Sequence, residues 1–276
     1  MSQLLPPGLY IVATPIGNLS DITFRAAEIL RAADIIAAED KRVTAKLLAH
    51  IGADTPMRAY HDHSGPKERA DLIEAMAEKA VALVSDAGTP LVSDPGYRLV
   101  REARAAGRMV TTAPGPSAAI AALTLSGLPT DRFLFAGFLP AKAKARSEAI
   151  AGLAEARATL ILQERAKRVG AALAALAEGL GAREAAVVRE ISKRHEEVAT
   201  GPLGELARRY ADAPPRGEIV IVIGPPRKAG PASDAEIDAA LEDALRRRSP
   251  SRAAAEVAER RGVPRKRAYR RALELK

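Results

Sequence analysis

The sequence contains no cysteine, which removes disulfides, thiolate-held zinc, iron–sulfur clusters and thiol nucleophiles together. A reducing compartment suits such a chain, and a cytoplasmic location is expected. Tryptophan is absent too, and aromatic residues make up only 3% of the chain, so Ala, Leu, Val and Ile must build the core. No apolar run approaches the ~20 residues that a membrane span needs. Residues 1–8 carry no basic segment followed by an apolar stretch, so neither a membrane anchor nor a signal peptide is expected. Histidine is scarce, at four residues. His61 and His63 alternate along an extended segment, but nothing nearby completes a ligand set, and no metal site is expected. The motifs G-x-G-x-x-G after a strand, G-x-x-x-x-G-K-[ST], H-E-x-x-H and G-x-S-x-G are all missing. A dinucleotide Rossmann site, a phosphate-loop NTPase, a zinc protease and an α/β-hydrolase are thereby disfavoured.

What is present is a globular composition: 276 residues, 47% hydrophobic and 28% charged, enough for about two domains. The net charge of +8 is unevenly placed. Residues 246–276 hold twelve Lys/Arg against three Glu, a net +9, which leaves −1 for residues 1–245. A near-neutral body with a basic end points to a polyanionic partner.

Strand-like and helix-like segments alternate through the first half. Apolar runs at 9–13, 35–38, 57–60, 81–85 and 109–112 read as strands, with helical periodicity at 22–33, 44–51, 68–79, 97–106 and 117–126. This alternation predicts a mostly parallel α/β sheet. After a Gly/Pro break at 127–131 the pattern restarts, with strands at 133–138, 159–163, 185–189, 197–200 and 218–223 and helices at 166–178 and 203–210. Closely spaced strands there predict some antiparallel pairing. A Gly/Pro-rich hinge at 224–232 precedes helices at 234–247, from Ser249-Pro250 to about 261, and at 265–275, a helix-turn-helix outline. The expected organisation is an α/β domain over 1–131, a second over 132–226 and a basic helical domain over 232–276.

In an open parallel sheet, ligands bind at the carboxyl ends of the strands. Three such ends carry Gly/Pro turns with small or acidic residues: Thr14 to Asn18, Ser85 to Pro90 and Pro114 to Ser117. A small-molecule site is expected there. Glu39 and Asp40 end the second strand, where either could accept a proton, and Arg42 beside them could hold a phosphate. His61 is a further base candidate.

The runs YIVATPIGNL at 10–19, AEDKR at 38–42, ALVSDAGTPLVSDPG at 82–96 and PGPS at 114–117 resemble the tetrapyrrole-methylase-like methyltransferases, and most of all their small-subunit ribosomal RNA branch. SGLPTDRF at 126–133, GFLP at 137–140 and Arg189-Glu190 continue the likeness, which covers nearly the whole chain. The resemblance implies two α/β domains with S-adenosylmethionine in a cleft between them, plus a small C-terminal helical domain. It also implies a homodimer acting on small-subunit RNA or the assembled small subunit, with a methyl group placed on the ribose 2′-oxygen of a cytidine in the decoding region of 16S ribosomal RNA.

By the same resemblance, the cofactor site falls on Pro15, Ile16, Gly17, Asp86, Ala87, Gly88, Thr89, Pro90, Ser117 and Ala118 of the first domain. In the second it falls on Leu162, Glu164, Gly217 and Glu218. Glu39, Asp40 and His61 are the catalytic candidates. RNA contacts are expected from Arg42, Arg165, Lys167, Arg168, Arg252, Arg265, Lys266, Arg267 and Arg270. Relatives carry Tyr-Glu-Ser-Pro-His-Arg where this chain reads Gln163-Glu164-Arg165-Ala166-Lys167-Arg168, so charge from Arg165 or Lys167 would stand in for the lost Pro and His. Two other functions stay open at this point. One is a methylase of a tetrapyrrole precursor, which has no evident use for the basic end. The other is a ligand-sensing nucleic-acid-binding regulator, against which the length of the strand-end motifs stands.

Overall fold

Short runs rich in Val, Ile, Leu and Ala form the three central strands of the first sheet, because such residues suit strands buried on both faces. The computed structural model describes residues 4–61, 64–212, 215–226 and 233–275. In chain order the first half contains β1 (Gly8–Val12), α1 (Phe24–Ala32), β2 (Ile35–Ala38), α2 (Lys41–Ile51), β3 (Met57–Ala59), α3 (Pro66–Ala75), β4 (Ala80–Val84), α4 (Tyr97–Ala105) and β5 (Val110–Ala113). The strands pair in the order β3-β2-β4-β1-β5, every neighbour parallel. Alternation divides their side chains between two cores. Tyr10, Val12, Ile36 and Ala82 cluster with Leu30 of α1 and Leu47 of α2. Leu9, Ile35, Val81 and Leu83 cluster with Leu72, Met76 and Leu99.

The second half contains α5 (Ala118–Leu125), β6 (Phe133–Phe138), α6 (Ala143–Ala154), β7 (Thr159–Arg165), α7 (Val169–Leu180), β8 (Glu184–Arg189), β9 (Glu197–Pro202), α8 (Leu203–Asp212) and β10 (Glu218–Ile223). Its sheet runs β6-β7-β10-β8-β9. Only β6–β7 is parallel; the other three pairs are antiparallel, as the close spacing of the strands predicts. Helix α5 precedes the 127–131 break, yet its Ala119, Ala122 and Leu123 cluster with Ile161, Val188, Val220 and Val222 of the second sheet. The chain divides into two compact units, Met1–Pro225 and Pro226–Lys276, so both sheets lie in one unit.

The second unit has three helices: α9 (Asp234–Leu245), α10 (Pro250–Arg261) and α11 (Arg265–Glu274). A capping box between Ser233 and Glu236 starts α9. Ile237, Leu241, Ala254, Val257, Val263 and Ala268 form its core. Among the described residues, no helix is long and apolar enough to cross a membrane.

Several helices differ from the sequence reading: α2 starts at Lys41 rather than 44, and α3 ends at Ala75 rather than 79. Helix α6 is not among the predicted elements: its apolar residues are mostly alanine and only Ile150 is buried, so it shows little periodicity. The helix expected from residue 166 begins instead with a 3₁₀ turn, Ala166–Arg168, and becomes α-helical at Val169.

Candidate active site

The parallel register brings the loops after β1, β2 and β4 to one edge, where they are tied together. Thr14 and Gly88 exchange backbone hydrogen bonds at 2.9 and 3.0 Å, and the Thr14 hydroxyl donates to the Ser85 carbonyl at 3.1 Å. The Asp86 N–H donates to Glu39 Oε2 at 3.2 Å, and the Asp40 N–H donates to Asp86 Oδ1 at 3.0 Å. Thr89 donates to the Pro116 carbonyl at 3.1 Å and draws in the third loop. The sequence-predicted acids Glu39, Asp40 and Asp86 therefore form one hydrogen-bonded cluster.

Their environments differ. Asp40 caps α2, accepting the Arg42 N–H at 2.8 Å, and its Oδ2 lies 2.6 Å from the Arg42 guanidinium. The Arg42 side-chain bond, and then its N–H, hold the Asp40 carboxyl at about 2. Burial pushes Asp86 the other way, above the usual carboxylate range, although the Asp40 N–H opposes the shift. An acid whose pKa rises on folding destabilises the fold once ionised. That penalty is present above the raised folded pKa and vanishes below the ordinary value. Asp86→Asn keeps an acceptor for the Asp40 N–H. It should therefore raise the melting temperature at neutral pH and leave it unchanged near pH 3, which scanning calorimetry at the two pH values can check.

A cavity of about 390 Å³ opens beside this cluster, and the second sheet closes its far side. The end of β7 and the start of β10 meet there because Glu218 pairs with Arg165 and Ile219 with Glu164. Of the predicted cofactor residues, Ile16, Asp86, Ala87, Gly88, Thr89, Ser117, Ala118, Glu164, Gly217 and Glu218 line it. Pro15, Gly17 and Pro90 are not in the lining. Leu162 is a correction: strand alternation turns it to the opposite face, where it clusters with Leu173 and Leu176 of α7. Glu39 lines the cavity, whereas Asp40 does not. Gln163, within the strand end expected at 162–164, lines it too, and residues that the sequence reading did not single out complete it, among them Val92, Ser93, Asp94, Phe138 and Ile191. Phe138 and Asp94 lay within motifs noted above, but only the fold shows which way they face.

Two glycines permit close approach here. A Cβ on Gly217, at φ +92°, would fall 2.2 Å from Glu190 Oε1, which accepts the Glu218 N–H at 3.1 Å. A Cβ on Gly17, at φ +148°, would meet the Lys193 chain at 2.3 Å. Burial alone would lower the Lys193 ammonium, but Glu190 and Glu218 hold it above its ordinary value. Ser192 donates to Asp21, so the 190–193 segment is tied to the loop after β1.

Among the described residues, the cavity lining carries the carboxylates of Glu39, Asp86, Asp94 and Glu218 against one guanidinium, Arg165, while the Glu164 carboxylate is buried and held by Arg168. Such a lining favours a cationic ligand. Gln163 Oε1 is buried with no hydrogen-bond partner among the described residues, leaving an acceptor for a donor the chain does not supply. These features fit S-adenosylmethionine, whose sulfonium is cationic and whose adenine carries an amino donor.

The remaining predicted residues are scattered. His61 lines a different cavity, and His63 lies outside the described residues. Arg42 is exposed on the Asp40 side, and Lys167 is exposed. Arg168 is a correction to the expected RNA contacts: its guanidinium turns inward to Glu164 at 3.3 Å and to the Leu139 carbonyl at 2.9 Å. In the second unit Arg252, Arg265, Lys266 and Arg270 are exposed. Arg267 is half-buried instead and pairs with Asp234 at 2.7 Å, tying α11 to α9. Among the described residues, no group of three His, Cys, Asp or Glu side chains could hold a metal ion.

Comparison with known proteins gives concordant matches. Residues 8–207 match the family model for Tetrapyrrole (Corrin/Porphyrin) Methylases, and residues 231–276 match the RsmI C-terminal HTH domain. The chain is 56% identical to Ribosomal RNA small subunit methyltransferase I of Erythrobacter litoralis, covering 100% of this chain and 98% of that protein. It is 50% identical to the protein of that name from Mesorhizobium japonicum, over 99% of this chain and 93% of the relative. Among solved structures, uroporphyrin-III C-methyltransferase from Thermus thermophilus, complexed with S-adenosyl homocysteine, matches with TM-score 0.55 at 21% identity. That match covers 79% of this chain and 97% of the other, and shows a shared fold.

Proposed function

The chain belongs to the tetrapyrrole methylase family and, within it, to the ribosomal RNA small subunit methyltransferase I group; from that premise we propose that it methylates the ribose 2′-oxygen of a cytidine in the decoding region of 16S ribosomal RNA. The observation that carries the reading is the pairing, in one chain, of an acid-lined cavity with an exposed basic helical face. S-adenosylmethionine supplies a methyl group on a sulfonium. The acid-rich lining, with Ile16, Gly88, Thr89, Ser117, Ala118, Gln163 and Gly217, holds it. Glu39 accepts the proton of the attacking hydroxyl. Its Oε2 is already oriented by the Asp86 N–H, which fixes the carboxylate at the cavity edge. Alignment of nucleophile and sulfonium supplies about 7–11 kcal/mol, and a positioned base adds roughly 10²–10⁴-fold.

The substrate is small-subunit RNA or the assembled small subunit, and the enzyme works in the cytoplasm. It acts as a homodimer. Large apolar side chains left open in the single chain support this, among them Ile120, Leu125, Phe133 and Leu134. Sedimentation at twice the 29.1 kDa chain mass tests it.

The activity is tested with S-adenosylmethionine carrying a labelled methyl group, offered to small subunits, to their naked RNA and to a porphyrinogen. Label should enter RNA. After alkaline hydrolysis it should appear in a dinucleotide, because a 2′-O-methyl group blocks cleavage at the adjoining phosphodiester. Label in a mononucleotide would place the methyl on a base, and label in the porphyrinogen alone would overturn the RNA reading.

A further inference from the structure

The expected cofactor contacts took in only residues 86–90 of the 82–96 motif; residues 92–96 form a wall with a cavity on each side. Val92, Ser93 and Asp94 line the acid-rich cavity, while Asp94, Pro95 and Gly96 line a second one of about 310 Å³. Leu91 and Ser93 hold this wall in shape with φ of 74° and 64°, a region side-chain-bearing residues seldom occupy.

The second cavity has the opposite electrostatic character. Arg69 and Arg98 face it, with His61 beside them, and among the described residues Asp94 is the one carboxylate in its lining. Arg69 is only 8% exposed, and its Nε is fixed by Glu102 at 3.0 Å, so a guanidinium is built into the cavity. At the start of α4, Tyr97 is 67% exposed, with Arg101 5.8 Å from its ring centre. The chain has only nine aromatic residues, five Tyr and four Phe, and one that is left this open adds little to the core.

An open aromatic ring beside guanidinium groups is the arrangement that binds an unstacked nucleotide: the base stacks on the ring, and the cations take the phosphate. We propose that this cavity seats the nucleotide next to the methylated one, with its base on Tyr97 and its phosphate toward Arg98. The shared wall then sets the spacing between the seated nucleotide and the ribose offered to the cofactor. This rests on the RNA-methylating reading above.

The test measures binding of a labelled single-stranded decoding-region oligoribonucleotide, with S-adenosylhomocysteine present, to the parent and to Tyr97→Ala, Tyr97→Phe and Arg98→Gln. Tyr97→Ala should weaken RNA binding about tenfold, the scale of one base–aromatic stack. Tyr97→Phe should bind like the parent. Arg98→Gln should reduce the slope of log K against log salt by about 0.7. Affinity for S-adenosylhomocysteine should stay at the parental value in all three. Parental RNA binding by Tyr97→Ala, or equal loss in Tyr97→Ala and Tyr97→Phe, would overturn the proposal. Label transfer by the parent is measured alongside: its absence removes the methyltransferase reading, while the binding ratio decides the cavity in either case.

Discussion

Replacing Arg252, Arg265, Lys266 and Arg270 together by Gln should reduce affinity for small-subunit RNA by roughly 10²–10³-fold at physiological salt. All four side chains are exposed. Each phosphate neutralised releases counterions, so the slope of log K against log salt should flatten by about 3. Cofactor affinity should not change, because none of the four lines the acid-rich cavity. Arg267 and Arg271 supply the contrast. They pair with Asp234 and Asp238, and the Asp234 carboxyl is held below its usual range mainly by its bond to Arg267. Their replacement should lower the melting temperature of the helical unit. RNA titrations at several salt concentrations, with melting curves of both variants, separate the two effects. Parental affinity and slope in the fourfold variant would remove this face from RNA binding.

Glu39→Gln should lower kcat by about 10²–10⁴-fold while S-adenosylmethionine affinity stays within a few-fold of the parent. The amide keeps an acceptor for the Asp86 N–H, so the loop geometry survives while the proton acceptor is lost. Asp40→Asn should cost far less. Its carboxylate is engaged with the start of α2 and with Arg42 rather than with the cavity, and Asn caps a helix about as well as Asp. Single-turnover kinetics with calorimetric cofactor titration separate chemistry from binding. Parental turnover in Glu39→Gln would move the base elsewhere.

Element boundaries were most legible where local signals agree. The strands Phe133–Phe138 and Glu218–Ile223 carry contiguous apolar runs and were read at their observed limits. Helix α10 begins at Pro250 behind Ser249 and ends at Gly262, standard start and stop chemistry. Helix α6 was not legible, because alanine-rich sequence without a broad apolar face has no period to detect. At the candidate site, the strand-end loops were visible as Gly/Pro turns, but side-chain direction was not. Leu162 and Gln163 are neighbours on β7, yet one faces the α7 core and the other the cavity. Nor could the sequence show that Gly17 abuts Lys193, or that Arg168 is held by the Leu139 carbonyl, since both contacts join segments remote along the chain.

The strand order of the first sheet also bears on how the chain is made. Strand β1 pairs with β4 and β5 and never with β2, so its partners are synthesised long after it. Between Val12 and Ala80, translation at about 5–20 residues per second takes roughly 3–14 s. Throughout that interval Leu9 and Val12, both wholly buried in the finished fold, have no strand to pair with. In the second sheet β8, β9 and β10 follow one another closely and pair antiparallel. The nascent chain is therefore most vulnerable to misassociation early, while the N-terminal strand emerges from the ribosome unpartnered.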